Sequence, residues 1–255
     1  MYDQFQRVEL LLGSESVKRI RNAFVVVLGL GAVGGFATEA LARSGVGKLR
    51  LVDHDKIKES NLNRQILATW NTIGIKKCIA AKDRVLSINP HCAVEDCDLF
   101  MHKETLPEIL AGNPDIVVDA IDSLNPKTEV LAALIESGQT GISSMGAALR
   151  TDPTKIQVGN LAKITHCPLA SMLRKRLRRR GIEPNITSVY SNEETRLYYR
   201  DAILPPEMSE DNDNELGRRR TSLGSLPTIT GIFGLTIANW VLMRLSGEND
   251  CTQQQ

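Results

Sequence analysis

The run Phe24-Val-Val-Val-Leu28 followed by Gly29-Leu-Gly31-Ala-Val-Gly34 constrains this chain more than any other segment. Five apolar residues in succession make a strand buried on both faces, as a parallel sheet covered by helices requires. The glycines let the chain turn tightly and bring backbone N–H groups close to a phosphate. They do so at the start of a helix, whose free N–H groups favour an anion. Asp53 closes the next predicted strand, residues 48–52, 19 residues after Gly34, where a carboxylate can accept ribose hydroxyls. The combination predicts a nucleotide site and by itself leaves NAD, FAD, a methyl donor and ATP open.

The pattern on either side predicts the rest of the fold. Helices are expected over 35–44, 76–88, 126–137 and 169–180, and strands over 93–97, 115–120, 141–144, 155–160 and 186–190. This alternation reads as an α/β, Rossmann-like, doubly wound and mostly parallel sheet with helices on both faces and a less regular C-terminal extension. Residues 8–22 form an amphipathic helix broken at Gly13, with Ser14 as the expected N-cap of its second piece. One domain is expected over 1–247, with a mobile loop at about 205–222 and a disordered tail at 248–255. Residues 226–245 are apolar enough to raise a membrane span, but Thr228, Thr230, Thr236 and Asn239 favour a helix at a core or subunit interface, with no stable membrane insertion.

Lys plus Arg number 31 against 30 for Asp plus Glu, which excludes a whole-protein polycation. The five cysteines form no C-x-x-C pair, so neither a zinc ribbon nor a disulfide framework is expected. Together with the polar start at Met1 to Arg7, they predict a cytoplasmic protein. His54, His91, His102 and His166 show no metal-ligand spacing.

Residues beyond Asp53 choose among the nucleotides. Asp53-His54-Asp55, Ser60-Asn61-Leu62-Asn63-Arg64-Gln65, and Gly74-Ile75-Lys76-Lys77 leading to Ile88-Asn89-Pro90 set an arginine and a lysine behind the second strand. A hydride-transfer enzyme has no use for them there, whereas charge developing on a triphosphate must be neutralised. Asp119 and Asp122 lie at the C-terminal end of another strand, where open α/β sheets bind ligands and where a carboxylate can hold Mg²⁺. Asp122 could instead cap the helix that begins near Asn125-Pro126, and Arg64 could form a surface ion pair.

The set G-x-G-x-x-G, D-x-D, S-N-x-x-R-Q, G-x-x-K and D-x-x-D, spanning about Arg7 to Gly146, resembles the ubiquitin-activating-enzyme-like adenylyltransferases of the ThiF/MoeB type. The resemblance implies an ATP pocket made by Gly29, Gly31, Gly34, Asp53, Asp55, Asn61, Arg64, Gln65 and Lys77. In it Asp53 holds the ribose, Asn61 and Arg64 the phosphates, Lys77 the phosphate at which adenylation occurs, and Asp122 a Mg²⁺ ion. Lys76 is the neighbouring candidate, but Lys77 keeps the family's spacing to Ile88-Asn89-Pro90. The resemblance also implies a homodimer in which Arg7 reaches the partner's γ-phosphate. Other members place that arginine three positions later, where this chain has Leu10.

The missing C-x-x-C pairs, residues 152–163, Pro168-Leu169-Ala170, Val189-Tyr190-Ser191-Asn192-Glu193 and Pro227-Thr228-Ile229-Thr230-Gly231 narrow the likeness to the tRNA threonylcarbamoyladenosine dehydratase branch. That branch implies ATP-dependent adenylation of the modified nucleoside's carboxylate in tRNA, followed by intramolecular cyclisation. Activation of the C-terminal glycine of a ubiquitin-like or sulfur-carrier protein is the alternative. Some bacterial members carry a cysteine where this chain has Ser188, so a thioester role is not expected there, and Cys167 reads as a bystander. Arg174, Lys175, Arg176, Arg178, Arg179 and Arg180 give six positive charges in eight residues. They are expected either to contact the phosphates of tRNA, with Arg218, Arg219 and Arg220 adding to them, or to form a solvated face.

Overall fold

The computed structural model describes residues 4–194 and 223–247. The expected loop at 205–222 and tail at 248–255 lie outside the described residues. In chain order the elements are α1 (Gln6–Leu12), α2 (Ser14–Asn22), β1 (Phe24–Leu28), α3 (Gly34–Arg43), β2 (Lys48–Val52), α4 (Lys77–Ile88), β3 (Ala93–Cys97), α5 (Leu106–Ile109) and β4 (Ile116–Asp119). They continue as α6 (Leu124–Ser137), β5 (Gly141–Ser144), β6 (Ile156–Asn160), α7 (Pro168–Arg179), β7 (Thr187–Ser191) and α8 (Pro227–Ser246).

The sheet has seven strands in the order β3-β2-β1-β4-β5-β7-β6. All neighbours are parallel except β6 and β7. Strand order reverses between β1 and β4, and the crevice at their carboxyl ends is where a doubly wound sheet receives a ligand. Alternate residues of β1 feed two cores. Val25 and Val27 pack with α2, α3, α4 and α8, while Phe24, Val26 and Leu28 pack with α5, α6 and α7. This two-sided burial explains the unbroken apolar run.

The apolar segment near the C-terminus is one of those core helices. By length and composition α8 could cross a membrane, yet Ile229, Phe233, Ile237, Ala238 and Val241 are buried inside the domain. A Cβ on Gly234 would stand 2.4 Å from the Val33 carbonyl oxygen and 2.7 Å from the Phe36 Cβ, so glycine is what lets α8 lie directly on α3. Half of this apolar window is buried within the domain, while Leu235 remains 48% exposed. Ser14 is also corrected: the N-cap of α2 is Gly13, at φ +81°, with no side-chain cap bond, and Ser14 is the first helical residue.

Candidate nucleotide site at the carboxyl edge of the sheet

The three loop glycines do different work. Gly29 has φ +85°, and a Cβ there would meet the Ala120 carbonyl oxygen at 3.0 Å; on Gly34 it would stand 1.8 Å from the Gly29 oxygen. Those two positions are dictated by packing of β1, β4 and α3. Gly31 is not, since its Cβ would meet only Gln65 Nε2, at 3.8 Å. A side chain at Gly31 would therefore project over the α3 N-terminus without meeting the protein backbone. Gly31→Ala is accordingly expected to melt within about 1 kcal/mol of wild type and yet lose ATP binding, as calorimetry would show. Unaltered ATP affinity would remove the phosphate from this loop.

Asp53 ties the glycine loop to the end of β2. Only 5% exposed, it accepts the Leu30 N–H on Oδ2 at 2.7 Å and the Asp55 N–H on Oδ1 at 2.9 Å. Burial raises its carboxyl above the ordinary carboxylate range, opposed by Lys77 and by those two N–H groups. Lys77 opens α4, where the first turn of a helix ordinarily leaves a lysine in solvent. Instead it is 6% exposed, its Nζ 2.8 Å from Asp55 Oδ2 and its N–H bonded to the Asp55 carbonyl at 3.0 Å. The loop folds back so that Ile57 and Ile75 share a backbone bond, which carries Lys77 inward. Lys76 faces away, its Nζ held by the His54 carbonyl at 2.8 Å and by Asp98 at 3.0 Å. Of the two lysines, Lys77 is the one beside Asp53 and Asp55. Asp53, His54 and Asp55 bring potential ligand atoms within 4.8 Å of one another, but the Lys77 ammonium and two backbone N–H groups already occupy those carboxylates.

Residues 59–61 form a 3₁₀ turn, with the Asn61 Oδ1 accepting the Lys58 N–H at 3.0 Å. Arg64 donates to the Ser60 carbonyl at 2.9 Å and to Asn63 Oδ1 at 2.8 Å. Among the described residues it faces no carboxylate, so the surface ion pair is not its role. Gln65 is 8% exposed, with its Nε2 toward Gly31 and its Oε1 buried. Gln65 Nε2, the atom that lies against Gly31, is the donor there that a phosphate oxygen can accept from.

On the other side of the crevice Asp122 is exposed just beyond β4. The N-cap of α6 falls on Ser123, so the capping alternative for Asp122 is not realised. Behind it lies a group that sequence reasoning missed. Asp119 and Lys127 are both fully buried, with Nζ 2.7 Å from Oδ2. Ser143 donates to the same oxygen at 2.7 Å, the Ile121 N–H to Oδ1 at 3.1 Å, and Lys127 to the Ile121 carbonyl at 3.0 Å. The pair thus holds Ile121 by both backbone groups and fixes the loop that presents Asp122.

Arg7 is not brought to this site within one chain. It is exposed on α1, and the preceding Phe5 packs on Gly45 between α3 and β2, at the opposite edge of the sheet. Cys167 is buried at the N-cap of α7, where its Sγ accepts the Ala170 N–H at 3.5 Å, and Ser188 is wholly buried in β7.

The family model for ThiF matches residues 3–255. The chain belongs to the ThiF family. The match takes in α1 and the less regular second half as well as the glycine loop. A tRNA threonylcarbamoyladenosine dehydratase from Bacillus subtilis is 35% identical over 245 residues, 96% of this chain and 95% of that relative. The crystal structure of the Escherichia coli tRNA N6-threonylcarbamoyladenosine dehydratase in complex with ATP superposes with a TM-score of 0.82 at 29% identity, covering 96% and 94% of the two chains. A molybdopterin-synthase adenylyltransferase from Salmonella typhimurium is 33% identical over 138 residues, 54% of each chain. Within the ThiF family the likeness to these two dehydratases therefore extends over 96% of the chain, and that to the adenylyltransferase over about half.

Proposed function

We propose that this chain is an ATP-dependent tRNA threonylcarbamoyladenosine dehydratase. The observation that carries the reading is the correspondence with an ATP-bound dehydratase over 96% of this chain, set over a glycine loop that Asp53 and Gln65 border. A carboxylate is a poor electrophile. Its oxygen attacks the α-phosphorus of ATP, the bond to pyrophosphate breaks, and an acyl-adenylate forms. A nitrogen or oxygen of the same threonylcarbamoyl side chain then attacks the acyl carbon, loses its proton and expels AMP. One carboxylate oxygen leaves with AMP, and the net change in the nucleoside is loss of water. Nucleophile and electrophile share one side chain, so proximity supplies much of the second step.

In this scheme Asp53 accepts ribose hydroxyls with its remaining lone pairs, and Asn61, Arg64 and Gln65 line the phosphates. Lys77, held ready by Asp55, neutralises charge where pyrophosphate departs. Asp122 would hold Mg²⁺, whose chemistry is to neutralise phosphate charge. The working compartment we assign is the cytoplasm.

The proposed assembly is a homodimer in which each α1 lends Arg7 to the other pocket. Leu10 and Leu11, at 80% and 81% exposed beside Arg7, give that helix an apolar surface to bury. Mixing Arg7→Ala with Lys77→Ala subunits should then restore activity, since one pocket of a mixed dimer has both groups. Random exchange makes about half the dimers mixed, so recovery approaches about a quarter of wild type if pockets act independently. No recovery after verified exchange would reject the arginine supplied in trans.

The half-length likeness to an adenylyltransferase favours a second reading, activation of the C-terminal glycine of a small carrier protein. ATP–pyrophosphate exchange separates the two. Stimulation by modified tRNA supports the dehydratase, and stimulation by a carrier protein alone supports the second reading.

A further inference from the structure

The six charges of the basic helix are not equivalent. Arg174 donates to the Leu161 and Ile164 carbonyls, at 3.2 and 2.7 Å. Arg176 donates to Asn125 Oδ1, and Arg180 grips both oxygens of Glu129 on α6, holding that carboxyl below its ordinary value. These three cations fasten α7 to its neighbours. Lys175, Arg178 and Arg179 are exposed and, among the described residues, meet no carboxylate or carbonyl. Their i, i+3, i+4 spacing sets them on one face.

That face borders a groove of about 510 Å³ lined by Ser171, Arg174, Lys175, Arg178 and Arg179. A second hollow of about 600 Å³ at the head of the helix shares Ser171 and Arg174 with it. The Arg176–Asn125 bond ties the middle of α7 to the first turn of α6, three residues after Asp122. The middle of α7 is thereby held beside the start of α6, which follows Asp122 in the chain.

Resting on the tRNA reading above, we propose that α7 is divided by function. Lys175, Arg178 and Arg179 contact the phosphate backbone of the substrate RNA and lead it toward Asp122, while Arg174, Arg176 and Arg180 serve only as anchors. Unpaired cations on a helix otherwise fully tied down are preorganised for a polyanion, and each phosphate contact contributes to the salt dependence of binding.

The test compares wild type with the triple variant Lys175→Gln, Arg178→Gln, Arg179→Gln and with Arg180→Gln, using transcribed tRNA over a salt series. The triple variant should bind tRNA on the order of tenfold more weakly, with the slope of log affinity against log salt reduced in magnitude by roughly 2 to 3. Its melting temperature and ATP affinity should match wild type. Arg180→Gln should lower the melting temperature and change the slope by less than about 1. A triple variant with the wild-type slope overturns the division while wild-type tRNA binding keeps the tRNA reading intact. Salt-insensitive or absent binding by wild type overturns both. Loss in the triple variant of binding to anionic lipid vesicles, with tRNA binding unaltered, overturns the RNA assignment.

Discussion

Lys77→Ala should lower ATP–pyrophosphate exchange by on the order of 10²–10³, the scale of losing one preorganised charge at a developing anion. The buried ammonium also compensates Asp55 directly and opposes the upward shift of Asp53. Because burial raises the Asp53 carboxyl, the native state holds that proton more tightly than the unfolded chain. Stability from this group therefore falls as pH rises from the ordinary Asp range through its native pKa. Without Lys77 that window extends upward, so the variant should lose more stability than wild type between weakly acidic and neutral pH. Denaturant titrations at both pH values measure this, and single-turnover exchange on the folded protein separates it from catalysis. Exchange at the wild-type rate by folded Lys77→Ala would remove the residue from the reaction.

Lys127→Met should cost about 3–5 kcal/mol of stability, the usual consequence of leaving a buried charge without its partner. Asp119 would be left with only the Ser143 hydroxyl and the Ile121 N–H. Adding Asp119→Asn should recover much of the loss, because the orphaned charge disappears and the amide oxygen still accepts from Ile121. Exchange activity should stay low in the recovered protein, since nothing then grips the Ile121 carbonyl and the Asp122 loop is held from one side only. Equilibrium urea unfolding gives the first quantity and ATP–pyrophosphate exchange the second. A loss below about 1 kcal/mol in Lys127→Met would mean that the pair is solvated.

The strand–glycine–helix unit was legible because local rules decide it. A doubly buried strand must be apolar throughout, and Gly29 and Gly34 fill positions that no Cβ fits. Asp53 and Gln65 likewise meet the loop, and Lys77 meets Asp55. What was not legible depended on contacts distant in sequence. Lys127 reads as a surface residue in the first turns of a helix; only the Asp at the end of β4, eight positions earlier, could have hinted at its burial. The inward turn of Lys77 follows from the fold-back of residues 56–76, which has no period to read. The basic helix looked like one uniform patch because Glu129 and Asn125, its partners, lie on another helix some 50 positions away. The antiparallel β6 was found as a strand, but a short alternating segment carries no sign of its direction.

The central claim is that this chain removes water from a threonylcarbamoyl nucleoside in tRNA at the expense of ATP. Mass analysis of the nucleosides of tRNA carrying the modification, before and after incubation with enzyme and ATP, tests it most directly. The account predicts a nucleoside lighter by one water, formed only when ATP and enzyme are both present, with AMP and pyrophosphate in equal amount and conversion strongly slowed in Gly31→Ala and Lys77→Ala. An unchanged nucleoside, from enzyme that in the same tube adenylates the C-terminal glycine of a carrier protein, would contradict it.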